Sequence, residues 1–316
     1  LYKGLAGFYW HNIIDENTYF SITSNVSNET INNSLFANVK VKDAIADRFR
    51  SKTGKRPNSG PELHGVVVHL YWKDDQAEIF MDTSGETLSK HGYRKIPGKA
   101  PMLESLAAAT ILAGNWNRRS AFINPMCGSG TLAIEAALIA TNRRPGLFRN
   151  NYAFMHILGY DENIYKQAIA KLEEQIINVP GLQIIATDIS EDAINISKIN
   201  AGMADVETLI DFRVCDFEET HIPENTDGVV YINPEYGDRL GVEAELEQTY
   251  ARIGDFLKKQ CKGYMGYIFT GNLELAKKVG LKPNRRIEFY TSKIDCRLLE
   301  YELYEGSRQV KPSTGQ

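Results

Sequence analysis

Four consecutive residues, Asn233-Pro234-Glu235-Tyr236, follow a short apolar run at Gly228–Ile232. Their types suit one kind of chemistry. An exocyclic amine on an aromatic base is a poor nucleophile, because its lone pair is delocalised into the ring. Two acceptors aimed at its hydrogens favour the pyramidal geometry from which it can attack a methyl group. Asn233 can supply a side-chain oxygen. Pro234 has no N–H but keeps its carbonyl and stiffens the turn. Tyr236 can stack on a base taken out of its helix. Such a reaction demands no metal ion and no general base of unusual pKa. The bland reading is an Asn-Pro turn, so the motif draws its meaning from what surrounds it.

Three other segments surround it. Asn124-Pro125-Met126-Cys127-Gly128-Ser129-Gly130-Thr131 joins a strand pattern to a helix pattern. Its glycines let backbone approach a ligand closely, and the helix amino-terminus offers unpaired N–H groups. Gly128-x-Gly130-x-x-Ala133 also fits a dinucleotide fingerprint. That fingerprint expects an acid about 20 positions on. Here Arg149-Asn150-Asn151-Tyr152 stands in that region, and the next clear strand runs up to Asp188. The nicotinamide reading therefore loses ground without being eliminated. Asp188, followed by Ile189, sits where a carboxylate can accept from ribose hydroxyls. Asp216-Phe217 follows the third strand, where the acid can accept from an adenine amine and the ring can pack on the adenine face. Each acid alone is more often a helix cap or a solvated loop residue. Their occurrence after successive strands is what carries information.

The elements that must position these residues are legible in the apolar pattern. Strands are expected at Ala121–Asn124, Gln183–Thr187, Ile210–Val214, Gly228–Ile232 and Tyr264–Thr270. Helices are expected from Pro101 to about Ala113, then at Thr131–Thr141, Glu191–Ala201 and Leu246–Lys259. Arg286–Thr291 and Leu298–Tyr304 form a final antiparallel pair. This alternation predicts an α/β fold with a mostly parallel sheet, and ligands beyond the carboxyl ends of its strands. Residues 1–90 read as α+β, with a strand at Thr18–Val26, a helix at Val39–Lys52 and a hairpin of Val66–Tyr71 with Ala77–Met81. The glycine-punctuated basic stretch 84–100 reads as a linker.

With 316 residues the chain is long enough for two domains. It has no initiator Met, so it reads as a piece of a longer protein. Its net charge of −4 hides an asymmetry: residues 1–150 carry +5 and residues 151–316 carry −9. A basic front half permits a polyanion there, and equally a solvated surface. Cys127, Cys215, Cys261 and Cys296 lack metal-ligand or disulfide-framework spacing, so no metal is expected and a reducing cytoplasm is. No apolar run is long enough to span a membrane.

Taken together these segments resemble one group. The resemblance is carried by Val41-Lys42-Asp43-Ala44-Ile45-Ala46-Asp47-Arg48-Phe49, by Asp82-Thr83-Ser84-Gly85-Glu86 and by His91-Gly92-Tyr93-Arg94. It continues through Ala100-Pro101 with Glu104, the loop at Pro125–Thr131, the tetrad with Gly237 to Leu240, Phe269-Thr270-Gly271-Asn272 and Asp295-Cys296-Arg297-Leu298. The chain resembles the THUMP-containing ribosomal RNA large-subunit methyltransferase L family over essentially its whole length. The resemblance implies a Rossmann-like class I methyltransferase sheet at 101–316, preceded by a partial α+β THUMP, ferredoxin-like RNA-binding region at 1–90 with a linker to about 100. It implies transfer of a methyl group from S-adenosylmethionine to the 2-amino group of a guanine, with ribosomal RNA as the partner and transfer RNA as the alternative. It assigns the cofactor to Asn124, Met126, Cys127, Gly128, Ser129, Gly130, Thr131, Asp188, Ile189, Asp216 and Phe217. It assigns catalysis to Asn233, Pro234 and Tyr236.

Two positions depart from the family pattern. Asn124 stands where an Asp usually opens the loop, and Glu235 stands where the tetrad usually has a second Pro. Asn124 keeps the size and can still accept a hydrogen bond. Glu235 leaves the Pro234 carbonyl in place but adds a carboxylate, which can repel phosphate or receive a guanine N–H. Three other readings stay open: an adenine amino methyltransferase, an RNA-binding protein with an inactive methyltransferase fold, and a nicotinamide oxidoreductase. The basic stretch Arg48–Arg56 with Arg94, Lys95 and Lys99, extended by Arg143, Arg144 and Arg149, is the expected docking surface.

Overall fold

The computed structural model describes residues 1–31, 33–96, 101–224, 227–236, 243–291 and 294–304. The chain divides into two compact units, Leu1–Lys90 with Arg149–Glu174, and His91–Phe148 with Gln175–Gln316.

The first unit opens with a short helix, α1 (Tyr2–Gly7), and then β1 (Phe20–Ser27), α2 (Ser34–Thr53), β2 (Val66–Lys73) and β3 (Gln76–Asp82). β1 pairs parallel with β2, and β2 pairs antiparallel with β3. α2 begins five residues before the apolar stripe suggests, because the Asn33 side chain accepts from the N–H groups of Leu35 and Phe36 and caps that end. Its inner stripe of Ala37, Val41, Ala44, Ile45 and Phe49 packs on Phe20, Val66, Val68 and Leu70 of the sheet. Trp10 closes the core, its indole donating to the Leu5 carbonyl at 2.8 Å. Residues 149–174 belong to this unit, an excursion absent from the expectation of a single boundary near 90–100. Backbone bonds from Phe154 to Thr83 and from Leu158 to Ile13 hold it there.

The second unit contains α3 (Glu104–Ala113), β4 (Ala121–Pro125) and α4 (Thr131–Ala140); α5 (Glu162–Glu173) lies in the excursion. β5 (Ile184–Asp188), α6 (Glu191–Met203), β6 (Ile210–Val214), β7 (Gly228–Ile232), α7 (Glu243–Gln260), β8 (Met265–Thr270), α8 (Leu273–Lys278), β9 (Arg285–Thr291) and β10 (Ile294–Glu302) follow. Pro101 does not open α3: Leu103 is still extended, and the helix starts at Glu104. The sheet order is β6-β5-β4-β7-β8-β10-β9. β4 to β8 pair in parallel, and β10 runs antiparallel to both β8 and β9. β4 and β7 are buried at every residue, as expected of central parallel strands covered on both faces. α3, α4 and α6 share one core, and α7 and α8 share the other. From β4 the chain moves outward to β5 and β6, then returns to β7 on the other side. The crevice beyond the carboxyl ends of β4 and β7 is therefore the topological switch point.

The stretch 91–96 is packed rather than free. His91 and Tyr93 are buried in the second unit, and both reach the Glu135 carboxylate in α4. Glycines and basic residues gave this stretch the look of a linker; Lys99 and the rest of 97–100 lie outside the described residues. Among the described residues no helix is long and apolar enough to cross a membrane.

Candidate functional site

The loop after β4 is built by backbone geometry that costs energy. Met126 has φ 55°, in the left-handed region that a non-glycine residue occupies at a cost of about 1–2 kcal/mol. The Cys127 N–H donates to the Thr187 carbonyl of β5 at 2.9 Å, which ties the loop to the neighbouring strand end. The two glycines have different jobs. At Gly128 (φ 57°) an added Cβ meets nothing within 4 Å, so the loop borders open space there. At Gly130 (φ 80°) an added Cβ sits 2.9 Å from the Ser197 Cβ of α6, so this glycine serves close helix packing.

Asp188, at the end of β5, organises the loop. One carboxylate oxygen accepts from Gly128 N–H at 2.9 Å and the other from Ser190 N–H at 3.0 Å. Ile189 beside it is 73% exposed, an apolar side chain next to a carboxylate. Ser129 and Thr131 are buried. Burial, and then the charge of Asp188, push the Cys127 thiol up to about 12, so it stays protonated and acts by packing. Asn124 is buried; its amide donates to the Tyr231 carbonyl of β7 at 2.9 Å across the switch point, and its Oδ1 has no partner.

At the end of β6, Asp216 accepts from Glu218 N–H at 3.0 Å and from the Arg252 guanidinium at 2.8 Å, both on one oxygen. Burial pushes its carboxyl up, but these two donors outweigh burial and hold it below the ordinary carboxylate value. The Phe217 ring is 6% exposed, with the Arg252 guanidinium 4.7 Å over its face and Phe256 at its edge. The ring expected to pack on an adenine is thus already covered on that face by α7.

At the end of β7 the Asn233 Oδ1 is buried and has no hydrogen-bond partner. Pro234 is buried, Glu235 is exposed and Tyr236 is partly buried, edge-on to Phe269 at 6.5 Å. Burial, reinforced by Cys296, pushes the Tyr236 phenol up to about 12, so it is neutral near pH 7. Gly237 to Leu240 lie outside the described residues. The sheet order brings the four expected strand ends side by side as β6, β5, β4 and β7.

Several residues that shape the site escaped the sequence reading. Ser197 Oγ lies 2.8 Å from the Gly128 carbonyl. Asn200, fully buried, donates to the carbonyls of Ile96 and Ser129 and accepts from the N–H groups of Lys95 and Ile96. Both stand three residues apart on the inner face of α6, a polar pair on an apolar stripe that could have marked them. Arg94, expected on a basic surface, points inward instead and donates to Thr131 Oγ1 at 2.8 Å.

Comparison with known proteins gives this geometry a family. A family model described as RMKL-like, methyltransferase domain, matches residues 91–300, and a THUMP domain model matches residues 1–82. The ribosomal RNA large subunit methyltransferase K/L of Allochromatium vinosum is 35% identical over 93% of this chain and 41% of that protein. The one from Syntrophotalea carbinolica is 33% identical over 96% of this chain and 44% of that protein. The chain therefore spans less than half the length of these curated relatives. The solved structure of SMU.472 with SAH superposes with TM-score 0.82 at 26% identity, covering 97% of this chain and 80% of that one. A protein from Listeria monocytogenes named a predicted N6-adenine-specific DNA methylase gives TM-score 0.82 at 28% identity, covering 96% of this chain and 78% of that one. With two thirds of its length matched by that family model and a THUMP domain in front, the chain belongs to the RMKL-like methyltransferase family.

Proposed function

We propose that this chain transfers a methyl group from S-adenosylmethionine to the exocyclic 2-amino group of a guanine in large-subunit ribosomal RNA, in the cytoplasm. The observation that carries the reading is the Asn233 Oδ1, a buried acceptor without a partner at the end of β7, next to the Pro234 carbonyl. The two are the acceptors that an amine needs to hold its hydrogens while its lone pair turns toward a methyl carbon. Tyr236, neutral and partly buried, supplies a ring for the base to stack on. The names of the curated relatives support ribosomal RNA as the target.

The residues fit the cofactor. Gly128 borders open space, Asp188 and Ile189 flank it with a carboxylate and an apolar side chain, and Asp216 keeps one oxygen outside its bonds to Glu218 and Arg252. When bound, the sulfonium supplies an electrophilic methyl group. This chain's part is to hold the nucleoside along β4, β5 and β6 and the amine at β7. Of the expected stretch Arg48–Arg56, the exposed cations Arg50, Lys52, Lys55 and Arg56 are a basis for RNA docking, which high salt should weaken.

The two loop glycines give a first test. Gly130→Ala is expected to lower the stability of the second unit by about 2–3 kcal/mol, from left-handed backbone strain plus the Ser197 clash. Gly128→Ala bears only the strain, about 1 kcal/mol, yet its methyl enters the open space and should weaken S-adenosylhomocysteine binding. Thermal melts and calorimetry separate the two effects; equal melts for both variants would remove the distinction.

The direct test is nucleoside mass spectrometry of ribosomal RNA from a strain lacking the gene. Loss of one 2-methylguanosine, restored by the wild-type gene and not by Asn233→Ala, is the expected result. An unchanged ribosomal RNA with loss in transfer RNA would move the target. Loss of an N6-methyladenosine would favour the adenine reading, which the name of the Listeria structure supports.

A further inference from the structure

We propose that Glu104 binds the α-ammonium group at the amino-acid end of the cofactor, with Arg94 steadying its other oxygen. The inference rests on the cofactor reading above. Arg94 and Glu104 lie inside the second unit, their side chains 11% and 4% exposed. The Arg94 Nη2 donates to the Met102 carbonyl at 2.5 Å and to Thr131 Oγ1 at 2.8 Å. The guanidinium is thereby fixed to the first residue of α4, the residue that follows Gly130 of the cofactor loop. Its Nε lies 3.6 Å from Glu104 Oε1, an ion pair too long for a hydrogen bond. The Glu104 Oε2 and the Arg94 Nε are both buried without a hydrogen-bond partner. A carboxylate so placed has lost water on a side where no protein donor replaces it. It is stable in that position when a charged donor arrives from outside.

The acids at the ends of β5 and β6 and in the middle of α4 already have partners. Asp188 spends one oxygen on Gly128 N–H and one on Ser190 N–H, at the end of β5. Asp216 is neutralised by Arg252 at the end of β6. Glu135 takes His91 and Tyr93. Asn124, which opens the loop, is uncharged and gives its amide to Tyr231. An ammonium group arriving beside Thr131 therefore meets the one buried carboxylate oxygen among the described residues that has no hydrogen-bond partner, Glu104 Oε2.

Calorimetry on the full chain with three ligands tests the proposal: S-adenosylhomocysteine, its analogue lacking the α-amino group, and 5′-methylthioadenosine, which lacks the amino-acid end altogether. The wild type should bind S-adenosylhomocysteine about 10–100-fold more tightly than the deaminated analogue, the range of a hydrogen bond between charged groups. Glu104→Gln should lose that preference, bind S-adenosylhomocysteine about 10–100-fold more weakly, and bind 5′-methylthioadenosine as the wild type does. A Glu104→Gln protein weakened equally for all three ligands would reduce Glu104 to a packing role and overturn the proposal. So would a wild type indifferent to the α-amino group, a result that needs no variant. A wild type that binds none of the three overturns the cofactor reading, and the Glu104 assignment with it.

Discussion

Asn233→Ala is expected to slow methyl transfer in the bound complex by about 10²–10³-fold, the usual effect of removing one preorganised polar group from a transition state. Cofactor affinity should be unchanged, because Asn233 stands at β7 and the proposed nucleoside contacts lie along β4 to β6. kcat and kcat/KM should fall together, as they do when an interaction is made only in the transition state. Stability should move the other way. The Asn233 Oδ1 is a buried acceptor with no partner, and such a group costs about 1–3 kcal/mol of desolvation. Alanine relieves that cost, so the melting temperature should hold or rise while turnover collapses. A residue kept for packing gives the opposite pattern. Single-turnover transfer to ribosomal RNA, with a thermal melt on the same preparation, measures both. A variant that loses stability and activity in proportion would end the catalytic assignment.

That orphaned oxygen also shows what sequence reading can reach. The position of Asn233 was legible, because Gly228–Ile232 is a run of apolar and β-branched residues and the tetrad directly follows it. The ends of β4 and β5 were legible for the same reason, because central parallel strands carry their signal in nearly every residue; β6, at the sheet edge, is mostly exposed and showed only in the alternation of Ile210, Phe212 and Val214. The covering of Phe217 was not, since nothing local to Asp216-Phe217 reports that Arg252, on a helix 35 residues later, lies over the ring. The inward turn of Arg94 was hidden likewise, because a basic residue among glycines reads as surface unless its buried partner is known. The excursion 149–174 gave no warning either. α5 has no buried residue, so its amphipathic pattern matches any crossover helix of an α/β sheet, although it packs with the first unit. Periodicity finds the faces that exclude water; it does not say which polar groups are hidden with them, or against which unit a half-exposed helix rests.

Glu135→Ala carries the largest expected loss of stability, and the reason lies in those hidden polar groups. Glu135 is 1% exposed in the middle of α4, and its Oε1 lies 2.7 Å from both the Tyr93 hydroxyl and the His91 Nδ1. Burial raises its carboxyl above the ordinary value, against the bonds from His91 and Tyr93, so the group is held under tension between desolvation and pairing. Alanine leaves a cavity and two buried polar groups, the Tyr93 hydroxyl and the His91 Nδ1, with nothing to meet, which costs about 3–5 kcal/mol. For a domain of this size that is a fall of about 6–20 °C in melting temperature. Glu135→Gln keeps the volume and one acceptor and should fall between. Tyr93→Phe should cost less in the Glu135→Ala background than alone, because its partner is already gone. The damage should also reach the site: α4 starts at Thr131, so loosening the 91–96 strap slackens the helix whose amino-terminus carries the proposed cofactor loop. S-adenosylhomocysteine should therefore raise the melting temperature of Glu135→Ala less than it raises that of the wild type. A variant that melts with the wild type and gains the same protection would mean that His91, Tyr93 and Glu135 merely share a space, and that the loop is held by Asp188, Ser197 and Asn200 alone.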